Sequence, residues 1–326
     1  MRLSVLWASA LLPFVVAAGC NDATLTGPSS STNPPSRTDG GSSAEDDGGG
    51  SPAADSGAAE TGTTSSANLR IVAGNLSSGP TSTYDTGEGI RILKGLKPDV
   101  ALLQELNYKS NDKTDLDAFV NEAFGAGYAY YREDGVQIPN GVVSRYPILT
   151  SGRWADPQVD NRGFVYAKID IPGPKDLWAV SVHLLTSSSG NRSLEATSLV
   201  AQLGAVVADG DFVVIGGDLN TQSRTETCIT TLGQIVDATA ALPVDQDGND
   251  NTNGPRNAPY DWVLEGAALG AFKVPTVIGA NQFPNGLVFD SRVYKPLEDV
   301  APVMESDSDA QNMQHMAVVK DFAVPE

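Results

Sequence analysis

The chain has 326 residues and a formal charge of -19, with 21 Lys and Arg set against 40 Asp and Glu. Such a balance excludes the basic stripe by which a protein releases counterions from a long nucleic-acid backbone. Cys20 and Cys228 are the only cysteines, so no disulfide framework is available and stability must come from a core.

In chain order, the first element is not part of a fold. Arg2 precedes an apolar run from Leu3 to Val16, broken only by Ser4, Ser9 and Pro13, and Ala17-Ala18-Gly19-Cys20 follows. This layout reads as a secretory signal peptide over residues 1–20. Its ending resembles the lipobox of bacterial lipoproteins. The resemblance implies cleavage before Cys20, lipidation of its sulfur, and a membrane-anchored protein of the cell envelope or cell surface, outside the cytoplasm. Residues 21–68 are rich in Ser, Gly, Thr, Asp, Pro and Ala and cannot bury enough apolar surface to offset their ordering entropy. As a flexible tether they would span on the order of 40 Å. No later apolar run is long enough to cross a bilayer.

Residues 69–326 suit one large domain, whose 19 basic and 33 acidic residues leave a charge of -14. Short apolar runs predict strands at Leu69–Gly74, Asp99–Leu103, Gly141–Ser144, Gly163–Ile169, Leu177–Val182, Phe212–Ile215, Tyr260–Leu264 and Met316–Val319. Helices are predicted over Gly87–Leu96, Leu116–Phe124 and Ser193–Ala208. In the last, Leu194, Leu199, Leu203, Val206 and Val207 recur near helical spacing. The mixture predicts an α/β fold, a four-layer sandwich of two packed mixed β-sheets flanked by helices.

Three predicted strands end in oxygen-bearing groups: Asn75, Glu105, and Asp218 with Asn220. Gathered at one sheet edge, such ends form a polar mouth suited to Mg2+, which takes one or two carboxylates and accepts phosphate oxygens. The chain holds two histidines, His183 closing an apolar strand and His315 near the C-terminus. Either could serve as an acid–base group at neutral pH.

In order, Asn75-Leu76, Leu103-Gln104-Glu105, Ser144-Arg145-Tyr146-Pro147, His183-Leu184, Gly217-Asp218-Leu219-Asn220, Tyr260-Asp261 and His315 resemble the endonuclease/exonuclease/phosphatase superfamily. The stretch Ala258 to Leu264 is similar to its deoxyribonuclease I branch. The resemblance implies a hydrolase in which Asn75 and Glu105 hold Mg2+ (or Mn2+). It implies that Asp218 activates water, that Asn220 contacts phosphate, and that Asp261 holds His315 as an imidazolium. His183 would act as general acid toward the leaving oxygen. Asn140 and Arg162 stand with Asn220 as candidate substrate contacts. In one departure, Gln314 occupies the place of a carboxylate usual before the last histidine, and Asn140 stands where a glutamate partner of His183 is expected.

Asp245 to Asn251 places carboxylates and amides around Gly248, as a calcium loop would. It lacks the helix–loop–helix pattern, so a solvated polar loop is the expectation there, with Ca2+ as the alternative. Asp307 and Asp309 invite the same caution. The leading expectation is a monomeric, magnesium-dependent nuclease acting on DNA or RNA outside the cytoplasm. A phospholipase C or sphingomyelinase and a non-catalytic surface binding protein are the alternatives.

Overall fold

The computed structural model describes residues 65–79 and 86–326. Cys20, the signal segment and the tether up to residue 64 lie outside the described residues. The first half of the domain contains β1 (Ser66–Asn75), α1 (Glu88–Leu96), β2 (Val100–Gln104), α2 (Lys113–Ala123), β3 (Ala129–Arg132), β4 (Gly141–Ser144), β5 (Ile148–Ala155) and β6 (Gly163–Ile169). The second half contains β7 (Leu177–His183), α3 (Ser189–Gly204), β8 (Phe212–Asp218), α4 (Thr227–Leu232), β9 (Asp261–Glu265), α5 (Ala267–Gly270), β10 (Lys273–Val274), β11 (Thr276–Ile278), β12 (Asn281–Phe283), β13 (Leu287–Phe289) and β14 (Ala317–Pro325).

Two mixed sheets form the centre. One runs β10-β14-β1-β2-β4-β3, with β13 also on β14; the other runs β5-β6-β7-β8-β9. Strand alternation builds three apolar layers. Leu69, Ile71, Ala73, Val100 and Leu102 face Val165, Ala167, Leu177, Ala179 and Val214 between the sheets. Val72, Ala101, Leu103 and Val143 turn outward onto Ile92 and Leu93 of α1 and Phe119 of α2. Trp178, Val180, Val213 and Ile215 turn the other way onto Leu199 and Leu203 of α3 and Ile229 of α4. The order helix, sheet, sheet, helix is the four-layer α/β sandwich expected.

Among the named strands of the described residues, β1–β2 and β7–β8 are the parallel pairs. Their four C-terminal ends therefore lie at one pole, and that pole carries Asn75, Glu105, His183 and Asp218. Gly216 and Gly217 let the sheets close beneath it. A Cβ on Gly216 would come within 2.7 Å of Leu102 Cδ1. One on Gly217, whose φ is +131°, would stand 2.2 Å from Val182 O. The gap is bridged by polar groups: Gln104 Nε2 donates to Ser181 Oγ at 2.8 Å, and Ser181 Oγ donates to Leu103 O at 2.8 Å.

Three differences from expectation have a direct physical reason. β1 takes in Ser66 to Asn68, residues assigned to the tether, because they pair with Ala323 to Pro325. α3 begins at Ser189, with Ser188 capping Asn191 N, and its inward face is Arg192, Glu195, Ala196, Leu199 and Leu203. Leu199 and Leu203 face inward as expected, but Leu194 and Val206 are exposed, so the apolar spacing located only part of that face. Thirdly, the Asp245–Asn251 loop is organised by a guanidinium rather than left to solvent. Arg256 bonds Asp245 Oδ2 at 2.6 Å, Asp290 Oδ2 at 2.5 Å and Asn251 O at 2.7 Å. Asp245 Oδ1 meanwhile accepts from the backbone of Asp247 and Asn249. The Asp245 carboxylate that a calcium ion would need is already engaged by Arg256. Asp307 and Asp309 are likewise paired, with Arg91 and Arg292.

Removing one partner from a buried ion network strands the others. Arg256→Ala should lower unfolding free energy by about 3 kcal/mol on that ground, read as a drop in denaturant midpoint. An unchanged midpoint would show that the network adds nothing to stability.

Candidate functional site

The register of the five-stranded sheet builds half of the site. His183 lies opposite Asp218 across β7–β8, and Asp218 opposite Asp261 across β8–β9. Period-two alternation turns residues in one such row to the same side. Asn75 comes from the other sheet, in register with Gln104 at the end of β2. Glu105 follows at φ +54° and Asn220 stands at φ +51°. Both are sharp left-handed departures from their strands, costly for side-chain-bearing residues and common at functional sites.

Asp218 is the hub. Its Oδ2 accepts from Asn75 Nδ2 at 3.0 Å and lies 3.3 Å from His183 Nε2 and 3.9 Å from His315 Nε2. Its Oδ1 accepts from Asn220 N at 2.8 Å. Burial pushes the Asp218 carboxyl up to about 7; the His315 charge opposes this and the Asp261 charge adds to it. Both Asp261 oxygens face His315 Nδ1, at 2.9 and 3.2 Å. Burial alone would depress His315, but Asp261 and then Asp218 outweigh it and raise the imidazole to about 10. It is an imidazolium at neutral pH. His183 goes the opposite way: burial, then the charges of Arg162 and His315, hold it well below 6.5. Its Nδ1 is buried without a bond, 4.0 Å from Glu105 Oε1.

Glu105 is fastened from both sides. Asn75 Nδ2 donates to its Oε1 at 3.3 Å, and Gly79 N donates to its Oε2. Asn107 ties the loop that follows to Ser78 Oγ, Gly79 O and Gln137 O. The structure thus brings together Asn75, Glu105, His183, Asp218, Asn220, Asp261 and His315. Asn220 spends one amide hydrogen on Leu184 O and keeps the second.

Asn140 and Arg162 are turned toward the backbone. Asn140 is fully buried and donates to Gly163 O at 2.7 Å. Arg162 is buried and donates to His183 O at 2.5 Å and Leu184 O at 3.1 Å. Gln314 is exposed, and its amide donates to Gln311 O. The motif reading missed Thr252, whose hydroxyl accepts from Asp261 N at 2.7 Å, and Asn253, which bridges backbone to backbone with His315. Neither carries a spacing signal, because each meets the site from a loop and through backbone groups of Asp261 or His315.

The donor set fits a hard divalent cation. Asp218, Asp261 and His315 each offer a ligand atom, all within 4.8 Å of one another. Of these, His315 is a poor ligand, because an imidazolium has no free lone pair. The carboxylates of Glu105 and Asp218, joined through Asn75, are the oxygen donors that suit Mg2+. As placed, Asn75 Oδ1 accepts from Ser77 N, so the amide orients those carboxylates by its hydrogens.

These shifts have a stability consequence whose sign follows from proton binding. Asp218 (3.8 to about 7), Glu195 (4.5 to about 8, chiefly by burial) and His315 (6.5 to about 10) all hold protons more tightly folded than unfolded. Stability then falls as pH rises through those intervals. His183 opposes this only below 6.5. In the presence of chelator, the denaturant midpoint should be lower at pH 9 than at pH 6.5. An equal or higher midpoint at pH 9 would contradict the charge states assigned here.

The sequence matches the Endonuclease/Exonuclease/phosphatase family over residues 90–278. Solved structures of similar fold include an endonuclease/exonuclease/phosphatase from Beutenbergia cavernae, 15% identical with a TM-score of 0.53, covering 79% of this chain and 72% of that one. Truncated TDP2 from Caenorhabditis elegans is 15% identical, with a TM-score of 0.51 and coverage of 79% and 98%. Sphingomyelinase C from Streptomyces griseocarneus is 14% identical, with a TM-score of 0.52 and coverage of 78% and 99%. A comparison with curated proteins gives no match. At these identities the structural likeness establishes the fold, and the family match over more than half the chain establishes the rest: this chain belongs to the endonuclease/exonuclease/phosphatase family of phosphoester hydrolases.

Proposed function

We propose that the domain is a Mg2+-dependent phosphodiesterase that acts by direct attack of water, with nucleic acid as its first substrate class. The observation that carries this reading is the Asp261–His315 pair at 2.9 Å, set beside Asp218. It provides a fixed positive charge next to a carboxylate that accepts a proton near neutrality. Asp218 takes the proton of the attacking water. The His315 imidazolium and the free amide hydrogen of Asn220 face the charge that grows on the phosphoryl oxygens. Mg2+ held by Glu105, with Asn75 orienting the ligand, would supply charge neutralisation at those same oxygens. His183 is neutral in this arrangement, so the proton for the leaving oxygen is better drawn from the His315 side than from His183, the general acid implied by resemblance.

Charge pairing speaks to the reach of substrate recognition. Of the 19 Lys and Arg in the described residues, 15 have a carboxylate within 4.0 Å. Lys94, Lys97 and Lys175 precede β2 and β7, at the pole away from Glu105 and His183. Arg162 is committed to backbone carbonyls. Among the described residues no row of free cations continues from the site, which favours recognition of one phosphodiester at a time. Sphingomyelinase-type hydrolysis fits the same feature and is the second reading. Binding without turnover is disfavoured by the complete acid–base set.

Glu105→Ala, Asp218→Ala and His315→Ala should each lower kcat by at least about 100-fold with the fold retained. EDTA should abolish activity on a chromogenic phosphodiester, and magnesium should restore it. Because few phosphates are neutralised, the plot of log kcat/KM on DNA against log salt should be shallow, with a slope near that of one contact, about -1. Full activity of Glu105→Ala would remove the metal assignment, and a steep salt slope would reveal an extended nucleic-acid surface.

We propose further that Cys20 is lipidated and tethers the domain at the cell envelope or surface, a reading that rests on the Ala17-Ala18-Gly19-Cys20 ending. The full chain should partition with membranes, and Cys20→Ser should release it or leave it unprocessed. Recovery of the unsubstituted chain only from the soluble fraction would refute the anchor.

A further inference from the structure

The β7–β8 ladder ends at His183 and Asp218, closed by Leu184 N donating to Asp218 O. Strand pairing stops there, yet each carbonyl from His183 to Thr186 accepts a hydrogen bond from a side chain. Arg162 serves His183 and Leu184, Asn220 also serves Leu184, and Arg192 Nη1 serves Leu185 at 2.8 Å and Thr186 at 3.2 Å. Leu185 N donates to both oxygens of Glu195, at 3.1 and 3.0 Å. We propose that Arg192, Glu195 and Glu226 are positioning residues for the phosphodiester reaction, a buried brace that holds the His183 and Asn220 segments together once strand pairing has ended. This inference rests on the hydrolytic reading above.

The geometry of the brace follows from helix spacing and the shape of guanidinium. Residues 192 and 195 are three apart and share the inward face of α3. Arg192 sets Nε and Nη2 on the two oxygens of Glu226, each at 2.8 Å, and leaves Nη1 for the carbonyls after His183. Glu226 Oε1 also accepts from Gln222 N at 2.7 Å, which pins the turn following Asn220. One planar fork therefore spans both catalytic segments, a task a lysine cannot perform. None of the three touches the site carboxylates. They act through the placement of His183 and Asn220, where a shift of about 1 Å can cost as much as 100-fold in rate.

With only two histidines in the chain, imidazole NMR signals report on each position separately. The test compares the full chain without a histidine tag, as wild type, Glu226→Gln and Arg192→Lys. Turnover of bis(4-nitrophenyl) phosphate with magnesium is measured beside the imidazole 1H–15N spectrum. A positioning role predicts that kcat falls at least about tenfold while KM stays within about threefold. The His183 ring signals should move and the His315 signals should stay. A folded variant with unchanged kcat, or one whose His183 signals do not move, overturns the proposal. Absence of wild-type turnover would overturn the hydrolytic reading instead, while the histidine signals would still report whether the brace sets His183.

Discussion

The burial of Asp218 constrains everything around it. A carboxylate withdrawn from water loses its hydration and must be met by donors, by an opposite charge, or by a proton. Asn75 and the Asn220 backbone supply donors, His315 supplies charge, and a carboxyl raised to about 7 shows that these do not suffice at neutral pH. The same shortfall makes Asp218 a proton acceptor of matched strength. Its energetic discomfort and its chemistry have one cause.

That burial depends on how closely the sheets meet. Gly216 and Gly217 remove the side chains that would hold Leu102, Val182 and Gln104 away. Ser181 and Gln104 then span the interior with bonds that an apolar pair could not direct. Above them, β9 runs antiparallel to β8, so Asp261 at its start stands level with Asp218 at the end of its neighbour. Two carboxylates side by side would repel, and the His315 imidazolium between them turns that repulsion into a stable charge arrangement.

Much of this was legible in the sequence, because strands buried on both faces are short apolar runs and their polar terminators are conspicuous. Eight strands and the seven site residues follow from that pattern together with the family resemblance. What stayed hidden has a different physical origin. β5 is an edge strand with alternating exposure and polar residues, so Ile148–Ala155 carries no clear apolar period. α3 buries Arg192 and Glu195 because the loop after His183 needs partners for its backbone, a demand set by tertiary structure and invisible to hydrophobic spacing. The Asp245–Asn251 loop resembles a cation site because it is one, but its cation is Arg256, seven or more residues from the loop's first five members. Sequence spacing cannot distinguish a guanidinium from a metal ion.

Gln314 bears on the same electrostatics. A carboxylate at that place would add negative charge near His315, and its loss could have been expected to cost the imidazolium. Asp261 makes direct contact with His315 and Asp218 lies 3.9 Å away, and these two are its principal raising influences. Gln314 instead spends its amide on Gln311 O at the surface. The positive charge at the centre of the site is therefore set from β8 and β9, strands locked by their register, rather than from the loop that precedes β14. A charge change at Gln314 alters the rim while leaving the Asp218–His315–Asp261 arrangement in place.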